Sequence, residues 1–308
     1  MHILVTHETT EEQLSQIKAL IPGGEITLAH KDEEIRQAML TADVIWGSRF
    51  LPEVLPKATN LQLIQVSSAG VERLMVAELV EHKAVLANAR GIHGPTIAEH
   101  VFLLMLGLAR DLPAMLHAAD RREWTRSTPV LLHGQTLGIV GYGSIGQAIA
   151  ARAKAFIATR RHASPDQWAD QVWDDSHLPE LLAQSDYVVL AIPLTKETYH
   201  LIGAVELDMM KDNAVLINIA RGQVVDEQAL IACLQANSIK GAGLDVFETE
   251  PLPEDSPLWT MENVIVTPHV AGSMPDYDGQ AFTIFLENLR LLLTGQPLIN
   301  VVDKRAGY

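Results

Sequence analysis

Residues 138–146 read Gly-Ile-Val-Gly-Tyr-Gly-Ser-Ile-Gly, and the glycines at positions 141, 143 and 146 form a G-x-G-x-x-G motif. The apolar run before the motif, 136–140, predicts a strand, and the alanine-rich run after it, 147–156, predicts a helix. In that context the first glycine permits a tight turn, the second lets the backbone approach a pyrophosphate, and the third lets helix and strand pack closely. The pyrophosphate would lie on the N–H groups at the start of the helix. We therefore predict a dinucleotide-binding unit here.

The composition of the 308-residue chain restricts its class. The length favours two domains, because single cores stop growing at about 250–300 residues. A net charge of −15 speaks against a nucleic-acid partner and against an anionic membrane surface, since both need a basic face. The single cysteine, Cys233, excludes an internal disulfide and CxxC metal sites, and no metal is predicted. With no visible signal peptide and no apolar run near about 18 residues, we expect a cytoplasmic protein without membrane spans.

The apolar runs predict two parallel sheets with helices on both faces. The predicted strands are 3–6, 26–29, 44–46, 61–66 and 84–87, then 136–140, 157–159, 187–192, 214–219, 242–246 and 264–267. The predicted helices are 11–20, 32–40, 71–80, 96–106, 113–124, 147–156, 177–184, 226–236 and 276–293. We therefore expect an α/β protein of two doubly wound domains, with the active site in the cleft between them. Residues 1–92 and 271–308 would form a flavodoxin-like substrate domain, and residues 93–270 a Rossmann cofactor domain inserted in it.

Three polar residues follow strands of the second series, at the ends where such sheets bind ligands. Arg221 follows the strand 214–219, and its guanidinium fork suits a carboxylate. His269 follows another strand end, and Glu250 lies in an acidic loop where it could hold the imidazole and keep it protonated. Each residue alone is typical of a surface ion pair, a structural histidine or a solvated loop. Together they suit a 2-keto acid, with a cation for its carboxylate, an acid for its carbonyl oxygen and a hydride from a nicotinamide.

These stretches resemble the D-isomer-specific 2-hydroxyacid dehydrogenases, especially the glyoxylate/hydroxypyruvate reductase-like branch. Besides the glycine motif, the resemblance rests on 218–222, 243–251 and 268–272, and on 90–100, which matches the family's hinge. It implies an NAD(P)-dependent enzyme that reduces a small 2-keto acid to the D-2-hydroxy acid. Arg221 would bind the carboxylate and carbonyl, and His269 would be the general acid/base with Glu250 as its partner. The helices from 96 to 124 would form the arm of a homodimer.

The resemblance also assigns contact residues. The N–H groups of a loop that begins at Ser68 would hold the carboxylate, and Asp245 and the backbone of Ile219 would bind the nicotinamide carboxamide. From its position at a strand end, Trp46 is predicted to wall the substrate pocket. The predicted substrate-binding residues are Trp46, Ser68, Ala69, Gly70, Arg221 and His269. The predicted cofactor-binding residues are Thr96, Gly141, Tyr142, Gly143, Ser144, Ile145, Gly146, Arg160, Arg161, Ile192, Pro193, Thr198, Ile219, Ala220 and Asp245.

The cofactor choice depends on the stretch near residue 161. An NAD site places an acidic residue about 20 residues beyond the first glycine. This chain has Arg160 and Arg161 there and no Asp or Glu, which favours the 2′-phosphate of NADP(H) over NAD(H). The predicted helix passes into the strand through 154–158 without Gly, Asn or Pro, around Phe156 and Ile157. Family members usually carry more residues here, so the connection is either a true deletion or lacks residues in this sequence.

Two other functions use the same fold. One is a redox-sensing, corepressor-like protein that binds NAD(H). The complete Arg, Glu and His set and the lack of extended tails speak against it. The other is an enzyme that acts on formate or phosphite. Formate enzymes resemble this chain but carry Gln where this chain has Glu250, so formate is disfavoured, whereas phosphite stays open. The sequence does not identify the 2-keto acid.

Overall fold

A computed structural model describes residues 1–153, 156–159 and 169–307. The chain divides into two compact units. The first consists of residues 1–92 and 275–308, and the second consists of residues 93–274. In the sequence, the second unit is thus inserted in the first. It ends at residue 274, slightly beyond the boundary at residue 270 that the sequence predicted.

The first unit contains a five-stranded parallel sheet with the strand order β2-β1-β3-β4-β5. Its strands are β1 (His2–Val5), β2 (Glu25–Leu28), β3 (Val44–Trp46), β4 (Leu63–Gln65) and β5 (Val85–Ala87). Its first helices are α1 (Glu11–Leu20), α2 (Asp32–Met39) and α3 (Ala77–Glu81). The run 71–80 is not one helix as predicted, because Val76 takes an extended conformation (φ −87°, ψ 155°) between a 3-10 turn and α3.

The C-terminal segment closes the β5 edge of this sheet. Val301 forms an antiparallel bridge with Ala87, and the Val302 N–H donates to the Leu86 carbonyl at 2.9 Å. The Lys304 ammonium donates to three carbonyls at the end of α3 and in the loop after it. The segment therefore fixes β5, whose next residues support the loop 67–70 described below.

The second unit contains a seven-stranded parallel sheet with the order β12-β11-β10-β9-β6-β7-β8. Its strands are β6 (Leu137–Val140), β7 (Phe156–Thr159), β8 (Gln171–Trp173), β9 (Tyr187–Leu190), β10 (Val215–Asn218), β11 (Gly241–Leu244) and β12 (Val264–Val266). Its helices are α4 (Gly94–Ala109), α5 (Leu112–Asp120), α6 (Ser144–Ala150), α7 (Leu178–Gln184), α8 (Ala204–Asp208) and α9 (Glu227–Gln235). The last helix, α10 (Tyr277–Leu293), belongs to the first unit.

Four elements of the second unit differ from the prediction. The short elements β8 and α8 were missed, since three to five residues give little periodic signal. The helix after the glycine motif, α6, ends at Ala150 rather than at residue 156, so it ends well before β7 begins. The helix α5 ends at Asp120 rather than near 124, where Arg122 takes a positive φ of 59°.

Buried apolar side chains on both faces fill the core of the second sheet. The helix α4 lies directly on this sheet, because a Cβ added at Gly243 would lie 3.0 Å from Leu104 Cβ. Among the described residues, no single helix is long and apolar enough to cross a membrane. The pair α4 and α5 reaches that length and composition only together, across a bend of 66°.

Candidate active site

The glycine turn after β6 has the shape that the motif predicts. Gly141 has a φ of +97°, and a Cβ at this position would lie 2.5 Å from the Ala191 carbonyl oxygen. A Cβ at Gly146 would lie 2.4 Å from the Gly141 oxygen, so the first and third glycines are fixed by backbone shape and close packing. A Cβ at Gly143 would meet nothing within 4 Å. The turn therefore leaves open space at its middle glycine, which fits the approach of a dinucleotide pyrophosphate.

His269 and Glu250 form a hydrogen-bonded pair. His269 Nδ1 lies 2.8 Å from Glu250 Oε2, and the other carboxylate oxygen accepts from the Phe247 N–H at 3.1 Å. A carboxylate accepts only, so Nδ1 carries the proton in this pair. The imidazole is 48% exposed, and its Nε2 makes no hydrogen bond within the described part of the chain. Nε2 is therefore the nitrogen that can exchange a proton with a ligand.

Arg221 follows β10 on a turn that its neighbours fix. The Asn218 side chain accepts from the Ala220 N–H at 3.1 Å and donates to the Arg221 carbonyl at 3.0 Å. A Cβ at Gly222 would lie 1.8 Å from the Phe247 carbonyl carbon, so only glycine fits there. This contact brings the Arg221 turn against the loop that carries the histidine's carboxylate partner.

The acidic loop is also held from its other side. The Gln223 side chain donates to the Glu248 carbonyl at 2.7 Å, and the Glu248 carboxylate lies 2.7 Å from His200 Nε2. Glu248 Oε1 also accepts from the Glu227 N–H. The pKa of the Glu227 carboxyl is raised, mainly by burial and to a smaller extent by the nearby negative charge of Glu248. These contacts fix the backbone that leads to the carboxylate partner of the histidine.

His93 supports the loop that follows His269. A Cβ added at Gly272 would lie 3.0 Å from the His93 ring, so the two residues pack directly against each other. His93 is 9% exposed, and burial, followed by the charge of Arg221, lowers its pKa. We infer that His93 is neutral near pH 7.

In the first unit, loop 67–70 follows β4 and has an unusual distribution of hydrogen bonds. In chain order, its four carbonyls accept from the Tyr277 hydroxyl (2.8 Å), the Ala89 N–H (3.0 Å), the Asn88 side-chain amide (2.7 Å) and the Ser68 hydroxyl (2.8 Å). Its own N–H groups donate to no group among the described residues. Fixed carbonyls and available N–H groups are what a loop that binds an anion needs.

Trp46 lies in the core of the first unit. Its side chain is 1% exposed and stacks on Phe285, with ring centroids 4.7 Å apart. Phe282 and His7 contact its edges. This burial favours a packing role and speaks against the predicted role as a wall of the substrate pocket, because the whole indole is covered by apolar and aromatic neighbours.

The structure describes most of the other predicted cofactor residues, but not the two arginines. The Thr198 hydroxyl donates to the Pro193 carbonyl at 2.7 Å and closes the loop after β9, which begins near Ile192. Ile219 and Ala220 are buried directly after β10, and Thr96 lies in the first turn of α4. Arg160 and Arg161 lie outside the residues that the structure describes.

Sequence reasoning missed several residues that support the site. Asn88 directly follows β5, so the strand-end rule could have found it. Tyr277 had no such signal, because its role depends on the return of α10 to the first unit. Thr267 lies in the predicted strand 264–267 and His100 in the stretch 90–100, but neither was predicted to be a site residue. The available signal for His100 was a titratable side chain directly before the long apolar run 101–109 of α4.

The glycine turn and the histidine–carboxylate pair at strand ends define an NAD(P)-binding oxidoreductase, and comparison with known proteins identifies the family. The model of the D-isomer specific 2-hydroxyacid dehydrogenase NAD binding domain matches residues 102–271. Glyoxylate/hydroxypyruvate reductase B of Yersinia pestis is 36% identical over 285 residues, which cover 88% of this chain and 86% of that protein. The chain therefore belongs to the D-isomer specific 2-hydroxyacid dehydrogenase family.

Two further relatives cover nearly the whole chain. The D-3-phosphoglycerate dehydrogenase of Methanocaldococcus jannaschii is 36% identical over 98% of this chain, which spans only 59% of that longer protein. The crystal structure of a D-isomer specific 2-hydroxyacid dehydrogenase from Xanthobacter autotrophicus, in complex with NADPH, matches with a TM-score of 0.84 and 30% identity. That match covers 100% of this chain and 99% of the other.

Proposed function

We propose that this chain reduces a small 2-keto acid to the D-2-hydroxy acid and prefers NADPH to NADH. The observation that carries the proposal is the 2.8 Å hydrogen bond between His269 Nδ1 and Glu250. Because Nδ1 donates to a carboxylate, a proton that leaves the ring leaves from Nε2. The configuration of the product is proposed by analogy with the family.

The residues of the second unit have distinct roles in this reaction. His269 in its protonated form donates the Nε2 proton to the carbonyl oxygen of the substrate and becomes neutral. Glu250 orients the ring and stabilises its positive charge before the transfer. Arg221 binds the substrate carboxylate and polarises the carbonyl through its guanidinium group. A bound nicotinamide supplies the hydride.

In the first unit, loop 67–70 would bind the substrate carboxylate with its N–H groups. Four hydrogen bonds to its carbonyls hold these groups in place before the substrate arrives. An anion bound by fixed N–H groups needs no further ordering of the loop, which lowers the free-energy cost of binding.

The dinucleotide would be held at the glycine turn between β6 and α6. Gly141 and Gly146 shape this turn, and Gly143 leaves room for the pyrophosphate. The preference for NADPH rests on Arg160 and Arg161 in the sequence, and the NADPH bound by the Xanthobacter relative supports it. Asp245, Ile219 and the loop after β9 would contact the rest of the cofactor.

A panel of 2-keto acids assayed with NADPH and NADH in parallel tests the proposal. Glyoxylate, hydroxypyruvate, pyruvate and longer 2-keto acids are the substrates, and loss of nicotinamide absorbance is the signal. We expect turnover of at least one acid, with kcat/KM higher for NADPH. Absence of turnover on all of them contradicts the proposed reaction, and a preference for NADH contradicts the arginine argument alone.

We also propose a homodimer formed through α4, α5 and the segment after them. Large apolar side chains are exposed there: Leu103, Leu106, Leu116, Trp124 and Leu131 are 50–93% exposed. A patch of this kind is typical of a surface that another chain covers. Light scattering should show a dimer for the wild type and a monomer for Leu116→Glu. Leu28→Glu, at a 49% exposed position on β2, is the matched control that should stay dimeric.

A further inference from the structure

Asp245 makes an unusual set of contacts with the loop that carries His269. Its side chain is buried, and Oδ1 accepts from the Thr267 hydroxyl at 2.6 Å and from the Val270 N–H at 2.9 Å. Oδ2 accepts from the Ala271 N–H at 2.9 Å, and the Asp245 carbonyl accepts from the His269 N–H at 2.8 Å. One residue thus binds the N–H groups of three consecutive loop residues.

His100 extends this network from α4. Its Nε2 lies 3.0 Å from Thr267 Oγ1 and 3.6 Å from Asp245 Oδ1, and its side chain is 12% exposed. The Thr267 hydroxyl has one proton, which it donates to the carboxylate, so it accepts from His100. A continuous chain of donors therefore runs from His100 through Thr267 to Asp245.

The backbone of His269 needs such support. Its φ is 53°, in the left-handed region that residues other than glycine adopt uncommonly. The three N–H groups on Asp245 compensate for this conformation. With the backbone turned in this way, the ring nitrogen Nδ1 lies within hydrogen-bond distance of Glu250.

We propose that Asp245 and Thr267 are positioning residues for His269. They hold the histidine in its left-handed conformation and so keep its ring on Glu250. This inference rests on the proposed role of His269 as the proton donor. It is independent of the contact with the nicotinamide carboxamide proposed for Asp245. A carboxylate accepts about four hydrogen bonds. The Asp245 carboxylate accepts three of these from the described residues.

A matched pair of variants at one position tests the proposal. Thr267→Val keeps the shape of the side chain and removes the hydroxyl, whereas Thr267→Ser keeps the hydroxyl. We expect Thr267→Val to lower kcat on the order of 10–100-fold, because small displacements of a reacting group are that costly. The dissociation constant for NADPH, measured by fluorescence, should change less than about threefold, which is under 1 kcal/mol. Thr267→Ser should restore kcat to within about threefold of the wild type.

A spectroscopic readout separates this inference from the proposed reaction. In chain labelled with ¹⁵N-histidine, the hydrogen-bonded Nδ1–H of His269 should give a downfield proton resonance that is absent from His269→Gln. Thr267→Val should lose or broaden this resonance, and Thr267→Ser should retain it, whether or not a substrate is known. If Thr267→Val retains both kcat and the resonance, the inference is wrong.

A second variant covers the case in which Thr267→Val does not fold. In Asp245→Asn, one carboxylate oxygen becomes an NH2 group, which cannot accept from Thr267, Val270 or Ala271. The loop is then held less firmly, so the Nδ1–H resonance of His269 should weaken. If folded Asp245→Asn shows the wild-type resonance, the positioning role of Asp245 is excluded. Suppose that the resonance is present in the wild type and lost in Thr267→Val, but that the wild type reduces no 2-keto acid. The proposed reaction then fails, while the positioning role stands.

Discussion

Two loops at strand ends offer opposite kinds of groups. In loop 67–70 of the first unit, every carbonyl accepts a hydrogen bond from the protein, and its N–H groups donate to no acceptor in the described part of the chain. In the loop that carries His269, the N–H groups of residues 269–271 are bound to Asp245, and a side chain is presented instead. The first loop suits an anion that needs donors, and the second suits a group that exchanges a proton.

The difference shows where side-chain identity should matter. In the proposed reaction, loop 67–70 binds the substrate through its backbone N–H groups, so the important residues there are those that hold its carbonyls. The other loop is proposed to act through the imidazole of His269, so the important residues there are the histidine and the carboxylates that orient it. Substitutions in and around the two loops should therefore have different kinetic signatures.

The largest expected effect is the loss of the imidazole. His269→Gln should lower kcat about 10²–10⁴-fold, the usual contribution of a general acid, while NADPH binding measured by fluorescence is retained. Ala69→Ser is the matched substitution in the other loop. It changes a side chain that the proposal does not use, so kcat should stay within about twofold. Comparable losses in the two variants would contradict the distinction between the loops.

A smaller effect is expected when a carbonyl of loop 67–70 loses its donor. Asn88→Asp keeps the acceptor for the Arg90 N–H and removes the donor to the Ala69 carbonyl. KM for the 2-keto acid should rise about tenfold, the equivalent of 1.4 kcal/mol, with a smaller change in kcat. Asn237→Asp adds the same charge at an exposed position of the second unit. Equal effects of the two variants on KM would mean that charge alone is responsible.

The sequence offered signals for the proposed site residues but few for the residues that support them. The glycine motif has a recognisable spacing, and Arg221, Glu250 and His269 suggest one reaction only as a set, so their catalytic roles stay a prediction. The supports depend on tertiary contacts. Tyr277 reaches loop 67–70 only because α10 returns to the first unit, and the pairing of β11 with β12 brings Thr267 to Asp245.

For Trp46, the position in the sequence and the packing in the structure indicate different roles. Its position at the end of β3 suggested a ligand contact, but packing against α10 covers the ring. No pattern within the strand distinguishes a side chain that turns into the core from one that faces a ligand, because burial is decided by a helix more than 200 residues later in the sequence.

The smallest expected effect concerns the pH dependence of stability. Burial and Arg221 lower the pKa of His93 in the folded state, so the unfolded chain binds this proton more readily. The contribution of His93 to stability is therefore complete above about pH 6.5, the unfolded pKa, and is lost as the pH falls below it. Between pH 7 and pH 5 the Tm of the wild type should fall more than that of His93→Gln, by a difference on the order of 1–2 °C. Parallel Tm curves for the two proteins would contradict this sign.

The most direct test of the account compares two substrates that differ only in the carboxylate. Hydroxypyruvate carries the carboxylate that loop 67–70 and Arg221 are proposed to bind, and glycolaldehyde offers a carbonyl without it. With NADPH, we expect kcat/KM for hydroxypyruvate to exceed that for glycolaldehyde by at least about 100-fold, or roughly 2.7 kcal/mol of binding to the carboxylate. Equal values for the two compounds would contradict the division of roles between the two loops.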